Sequence, residues 1–201
     1  RSSMNVDWMG VDFKVPAEGD QIKVIGVLPD QIVTRKRIEP ARIEDGLAVA
    51  DVDRDILKIA VVERHMASGN VGRGFVQGVG LKRGAMASSV AHDSHNIVVI
   101  GTNDQDMMMA CTEIVRMRGG QAVVADAEVL AALPLPIAGL MSEEPLEKVR
   151  AGNEALARAA ASLGCQLRDP MMAMAFLALP VIPALKLTDK GLVDVEQFAF
   201  V

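Results

Sequence analysis

Residues 88–101, SSVAHDSHNIVVIG, hold two of the chain's three histidines together with Asp93, Asn96 and three serines, and an apolar run follows directly. Imidazole gains and loses a proton near neutral pH, and a neighbouring carboxylate can fix its orientation. His92, Asp93 and His95 are therefore the catalytic candidates. Ser89, Ser94 and Asn96 add donors and acceptors suited to a polar planar ligand, which makes them the substrate-binding candidates. Glu63 and His65, at the end of another expected strand, are candidate companions. On a helix, His92-X-X-His95 would also present two metal ligands. No third ligand lies at recognisable spacing, so no residue is assigned to metal. The competing reading is a capped loop whose polar groups satisfy one another and the backbone.

These residues need strands and turns to position them. The branched run Ile56–Val62 predicts a strand that ends on Glu63, Arg64 and His65, and Ile97 to Ile100 predicts a short buried strand immediately after the candidate loop. IKVIGVLP, after Pro16 and Gly19, is an earlier strand closed by a proline turn. Six glycines between Gly69 and Gly84 lack the Gly-Lys-Ser/Thr of a phosphate loop, so they are read as permitting bends and close backbone approach in β structure. Thr102, Asn103 and Asp104 offer caps for a helix that stops at Gly119-Gly120, with Met107, Met108, Cys111, Ile114, Val115 and Arg118 as its packing face. QAVVADAEVLAALPLP predicts a hairpin turning at Asp126 and Ala127. A second helix is expected over 143–163, capped by Ser142, with Leu146, Val149, Leu156, Ala160 and Leu163 as its buried stripe. The C-terminal section, with Pro180 and Pro183, is read as irregular structure ending near a short strand.

The fold class expected from this order is α+β: a mixed or antiparallel β-sheet with hairpins packed against a few helices. Residues 1–15 are read as a linker or the tail of a preceding domain, and 16–201 as one domain.

Composition narrows the function classes. Half the 201 residues are hydrophobic and 23% are charged, which suits a compact soluble protein, but aromatics are only 3% while Met reaches 12. Aliphatic and thioether side chains must then fill the core. A formal net charge of −5 provides no electrostatic footprint for nucleic acid or an anionic membrane. The basic cluster Arg35-Lys36-Arg37 is followed by Glu39 and reads as a solvated face. Cys111 and Cys165, in helical apolar contexts, read as reduced core thiols. The apolar run Met171 to Leu179 has nine residues, against the roughly twenty that a bilayer span requires.

The block GFVQGVGLKRGAMASSVAHDSHNIVVIGTNDQDM resembles the carboxy-terminal domain of bacterial-type adenine deaminase (adenine aminohydrolase), of the amidohydrolase superfamily. So do DILKIAVVERH, LPLPIAGLMS, FLALPVIPALKLTDKGLVDV and the closing FAFV. The likeness runs from about Phe13 to Val201, and HDSHN and LPLPIAGLMS are its most specific parts. It implies hydrolysis of adenine to hypoxanthine and ammonia in purine salvage or catabolism, in a cytoplasmic and homo-oligomeric protein. It also implies an amino-terminal (β/α)8 barrel as partner, holding a divalent metal (manganese, iron or zinc) in a His-rich site, where a metal-bound hydroxide would attack C6 of the purine. This chain begins Arg-Ser-Ser and has no His-X-His, so it is read as a piece of that protein, and no metal ligand is carried over onto it. The HDSHN loop would close over the barrel mouth. An interdomain or oligomerisation module without catalytic residues, or a stand-alone purine-binding module, are the alternatives.

The isolated chain is accordingly expected neither to deaminate adenine nor to retain catalytic metal. Metal analysis and an ammonia-release assay check this. Stoichiometric metal with enzyme-like turnover would contradict it.

Overall fold

Seven consecutive residues, Ile56–Val62, form a strand in which every residue is buried, so both faces of its sheet must be covered. The computed structural model, which describes residues 3–201, shows how. Before the first helix come β1 (Val15–Pro16), β2 (Gln21–Val27), β3 (Thr34–Pro40), β4 (Arg42–Glu44), β5 (Leu47–Val49), β6 (Ile56–Val62), β7 (Val71–Gln77), β8 (Ala85–Ser88) and β9 (Ile97–Gly101). Helix α1 (Asp104–Arg116) and the hairpin β10 (Gly120–Ala125) and β11 (Glu128–Pro134) follow. Then come α2 (Leu146–Ser162), α3 (Pro170–Leu177) and three short strands, β12 (Leu185–Thr188), β13 (Gly191–Asp194) and β14 (Ala199–Phe200).

Eight strands make the central sheet in the order β11-β10-β8-β9-β6-β7-β2-β3. Only β2 and β7 run parallel; the other pairs are antiparallel. Period-two alternation splits each strand between two cores. Ala60, Val62, Ile97 and Val99 meet Met107, Cys111 and Ile114 of α1 on one face. Leu57, Ile59, Val61, Val98 and Ile100 lie on the other, beneath Leu156 and Ala160 of α2, Met174 of α3 and Leu185 and Leu187 of β12. This is the expected α+β architecture, a mixed sheet with hairpins against three helices.

Local chemistry explains most boundaries. Asn103 caps α1, its side chain accepting from the Asp106 N–H at 2.8 Å. The hairpin turns at Asp126 and Ala127, both at positive φ, a type I′ pattern that ordinarily calls for Asn or Gly. Here the Asp106 carboxylate of α1 accepts from the Ala127 N–H at 2.9 Å and helps hold the turn. The glycine-rich stretch serves close approach: a Cβ on Gly72 would lie 1.8 Å from the Thr188 carbonyl oxygen, so β12 can reach β7 only over glycine. Arg35, Lys36 and Arg37 stand exposed on the edge strand β3, where charge discourages pairing with other chains.

Three expectations are corrected. Helix α2 starts at Leu146, three residues later than the expected 143, with Pro145 at its N-cap. Glu144, preceding a proline, is disfavoured in helical conformation. Ser142 instead accepts from the Glu144 N–H at 3.1 Å, and Leu146, placed in the buried stripe, is 77% exposed. The C-terminal section is more regular than expected. Asp169 caps α3, accepting from the Met172 N–H, and Pro170 opens it. Helix α3 is apolar all round, so no face stood out in its sequence. The β12–β13 hairpin escaped notice because its strands have four residues each. Cys111 and Cys165 are buried and unpaired, although Cys165 lies beyond the end of α2.

Of residues 1–15, expected as a linker, 1 and 2 lie outside the described residues. Met4, Val11 and Phe13 from the remainder are buried in the α1-side core. No helix among the described residues is long and apolar enough to cross a membrane.

Leu156 is 1% exposed, whereas Glu154 is exposed and paired with Arg150 on the outer face of α2. Leu156→Asp should cost about 4 kcal/mol or more, because it buries an unpaired charge. Glu154→Gln should leave the melting temperature nearly unchanged. Thermal melts of both variants decide whether the buried face of α2 is assigned correctly.

Candidate functional site

Strands β6 and β9 are antiparallel neighbours, with Val62 opposite Ile97. The segment leaving β6, Glu63-Arg64-His65, therefore meets the segment entering β9, residues 88–96. This register brings all three histidines of the chain to one corner of the sheet. His65 Nε2 lies 2.8 Å from the Ser94 carbonyl oxygen. The His92 and His95 ring centroids are 5.8 Å apart, edge to face.

Several of the named residues are committed inside the fold. The Ser89 hydroxyl is fully buried, donating to the Gly139 carbonyl at 2.6 Å and accepting from the Gly120 N–H at 2.8 Å. Buried Asn96 donates through Nδ2 to the Asp189 carboxylate at 3.2 Å, tying the loop to the β12–β13 turn. The Glu63 carboxylate accepts from the His65 and Met66 N–H groups and from both the N–H and the hydroxyl of Ser68. Burial opposes its ionisation, but the hydrogen bonds from Ser68, Met66 and His65 outweigh it and hold the carboxyl below its ordinary 4.5. Glu63 thus shapes the 65–68 turn.

The outward groups differ. Asp93 and Ser94 are exposed, and neither side chain has a hydrogen-bond partner among the described residues. His92 is half-buried, its ring 4.8 Å from that of Phe176 and its main-chain N–H donating to the Ala175 carbonyl. His95 Nδ1 is enclosed and has no partner. Burial lowers the pKa of this imidazole; His92, Arg64 and His65 push the same way, and Asp93 opposes them. The neutral form is thereby favoured, and it keeps a bare acceptor nitrogen when the proton sits on Nε2.

The loop is a turn rather than a helix, with His95 at φ 52°, so His92 and His95 do not share a helical face as metal ligands would. Among the described residues no group of three or more His, Cys, Asp or Glu is arranged to hold a metal ion. A concave region of about 180 Å³ adjoins the loop at Val90 and is lined also by Ala175 and Gln121. Another, of about 240 Å³, is lined by Met172, Asp30 and Phe176, the residue packed on His92.

Sequence reasoning missed Arg64, Phe176 and Asp189. Arg64 was in view, in the charged trio after β6, yet nothing in its type announced that it would be buried. Its pKa is pushed down to about 10 by burial, against the opposing charge of Glu63. Phe176 and Asp189 lie in the C-terminal section that was read as irregular.

The model of the family described as "Adenine deaminase C-terminal domain" matches residues 31–199. An adenine deaminase of Desulfatibacillum aliphaticivorans is 52% identical over 200 residues, covering 100% of this chain and 35% of that protein. One from Dehalococcoides mccartyi is 49% identical over 201 residues, again 100% of this chain and 35% of the relative. One from Methanothrix thermoacetophila is 51% identical over 189 residues, 94% of this chain and 33% of the relative. The chain thus spans about a third of the length of these curated relatives.

The lowered pKa of Glu63 fixes the sign of a pH effect. Its stabilisation is complete above the ordinary value of 4.5 and is lost as pH falls through the lower native value. Glu63→Gln should lower the melting temperature at pH 7 by roughly 2–6 °C. The gap between the two proteins should narrow steadily below about pH 4.5. Melts across that range would contradict the assignment if the gap stayed constant.

Proposed function

The chain belongs to the adenine deaminase C-terminal domain family, and from that premise we propose that its HDSHN loop faces the purine in the full-length enzyme. There it assists hydrolysis of adenine to hypoxanthine and ammonia. The observation that carries this reading is the concentration of unpartnered polar groups on one held loop: the Asp93 carboxylate, the Ser94 hydroxyl and His95 Nδ1. The exposed Asp93 and Ser94 groups could hydrogen-bond to another molecule or domain without breaking a bond inside this one, and the enclosed His95 Nδ1 could do so once its ring turns.

The chemistry required is the addition of water across the C6–N bond region of adenine, then departure of the amine as ammonia once it is protonated. A neutral imidazole with a free nitrogen can take a proton from the attacking water or from an intermediate and return it to the leaving amine. His95 is assigned that role. Asp93, whose charge favours the protonated imidazole, would steady the proton in transit. Ser94 and His92 would supply contacts to ring nitrogens, and the loop as a body would exclude bulk water. A divalent ion, when bound, supplies an activated hydroxide in the rest of the enzyme. The described residues do not fit such an ion: His65 is engaged with Ser94, and His92 and His95 do not converge with a third ligand.

A second reading has its own support. The packing of His92 on Phe176 suits a structural residue, in which case the loop would latch this domain to the remainder of the protein.

The two readings separate in the full-length enzyme. His95→Asn should lower kcat/KM for adenine by about 10²-fold, with metal content and melting temperature little changed. A latch would lose activity only in step with stability, and a milder temperature would restore it. Kinetics, bound metal and melts on the same preparations decide, and near-normal kcat/KM in both His92→Asn and His95→Asn would end the catalytic reading.

A further inference from the structure

Arg64 leaves β6 next to exposed His65, yet its own side chain turns inward and is 1% exposed. Its Nε donates to the His95 carbonyl, Nη1 to the Ser3 carbonyl at 2.6 Å and Nη2 to the Ala138 carbonyl at 3.0 Å. The acceptors come from three segments far apart in sequence, which only a rigid planar fork with five donors can bridge at once. Space for the fork is made by Gly139, where a Cβ would lie 2.9 Å from Nη2. One of the three acceptors belongs to the residue whose imidazole matters. His95 holds a left-handed backbone, φ 52°, which side-chain-bearing residues rarely adopt. The bond from Arg64 to its carbonyl is therefore well placed to keep it there.

Resting on the reading of the loop given above, we propose that Arg64 is a positioning residue for His95, setting the attitude of the imidazole through the main chain without touching the substrate. The guanidinium is also a fixed positive charge beside that ring, opposed by Asp93, with His92 and His65 the other titratable groups that face it. Removing it makes a proton on His95 easier to acquire, so the acid limb of the activity profile moves to higher pH.

The experiment uses the full-length enzyme with adenine, measuring kcat and KM from about pH 5 to 9. The variants are Arg64→Gln, Arg64→Lys, His95→Asn and the Arg64→Gln/His95→Asn double. Arg64→Gln should lower kcat by about 10-fold or more, with a smaller change in KM, and should raise the acid limb. Arg64→Lys keeps the charge but loses the fork, so kcat falls while the limb stays in place. In the His95→Asn background the Arg64 substitution should add little, because its effect acts through the residue already lost. Additive losses in the double variant, or an unmoved limb in Arg64→Gln, overturn the positioning role even where His95→Asn alone is impaired. Normal kinetics in His95→Asn overturn the loop's role and the positioning role together. Should Arg64→Gln fail to fold, Arg64→Lys and its double with His95→Asn complete the same cycle.

Discussion

A guanidinium shut away from water must find an acceptor for its donors, or its burial costs more than the fold can bear. Arg64 meets that demand with main-chain carbonyls from the N-terminal segment, the loop before β9 and the loop after β11. Three stretches that share no secondary structure are thereby fixed relative to one another. Ser89 strengthens the same junction from within, bonding to Gly120 and Gly139. The two blocks that stood out most in the sequence, HDSHN and LPLPIAGLMS, are joined here through Arg64, which bonds the His95 carbonyl of one and the Ala138 carbonyl of the other.

The consequence is a division of labour within a single loop. Residues pointing inward are saturated: Ser89 and Asn96 spend their hydrogen bonds on the domain itself, as does Glu63 across the way. Asp93 and Ser94 point outward with capacity to spare, while the Nδ1 of His95 is enclosed and without a partner. On the reading proposed above, the use of this outward surface lies in meeting the rest of the protein, and the chain covers about a third of the length of its relatives.

Much of this was legible in the sequence, for physical reasons. Ile56–Val62 and Ile97 to Ile100 announced buried strands through continuous branched residues, and the candidate loop could be placed at their mouth. The β10–β11 turn and the Asn103 cap followed from local rules. What escaped was whatever depended on distance. Nothing in the type of Arg64 or Asp189 reveals a partner tens of residues away, and α3 is so uniformly apolar that periodicity had no contrast to detect. The site suffered similarly. Residue types picked out one neighbourhood, where the fold gathers the three histidines, but they could not tell satisfied groups such as Ser89 and Asn96 from free ones such as Ser94. That distinction is set by three-dimensional hydrogen bonding.

The central claim is that the free face of the loop meets the purine. The most direct measurement is a structure of the full-length protein with hypoxanthine bound. The expected result is the His95 imidazole, turned so that Nδ1 is no longer enclosed, within about 3.2 Å of a purine heteroatom, or joined to one through a single ordered water, with the Arg64 fork unchanged beneath it. A purine beyond that reach, with His95 and Asp93 bonded only to neighbouring protein, would contradict the claim and leave the loop as a fastening between domains.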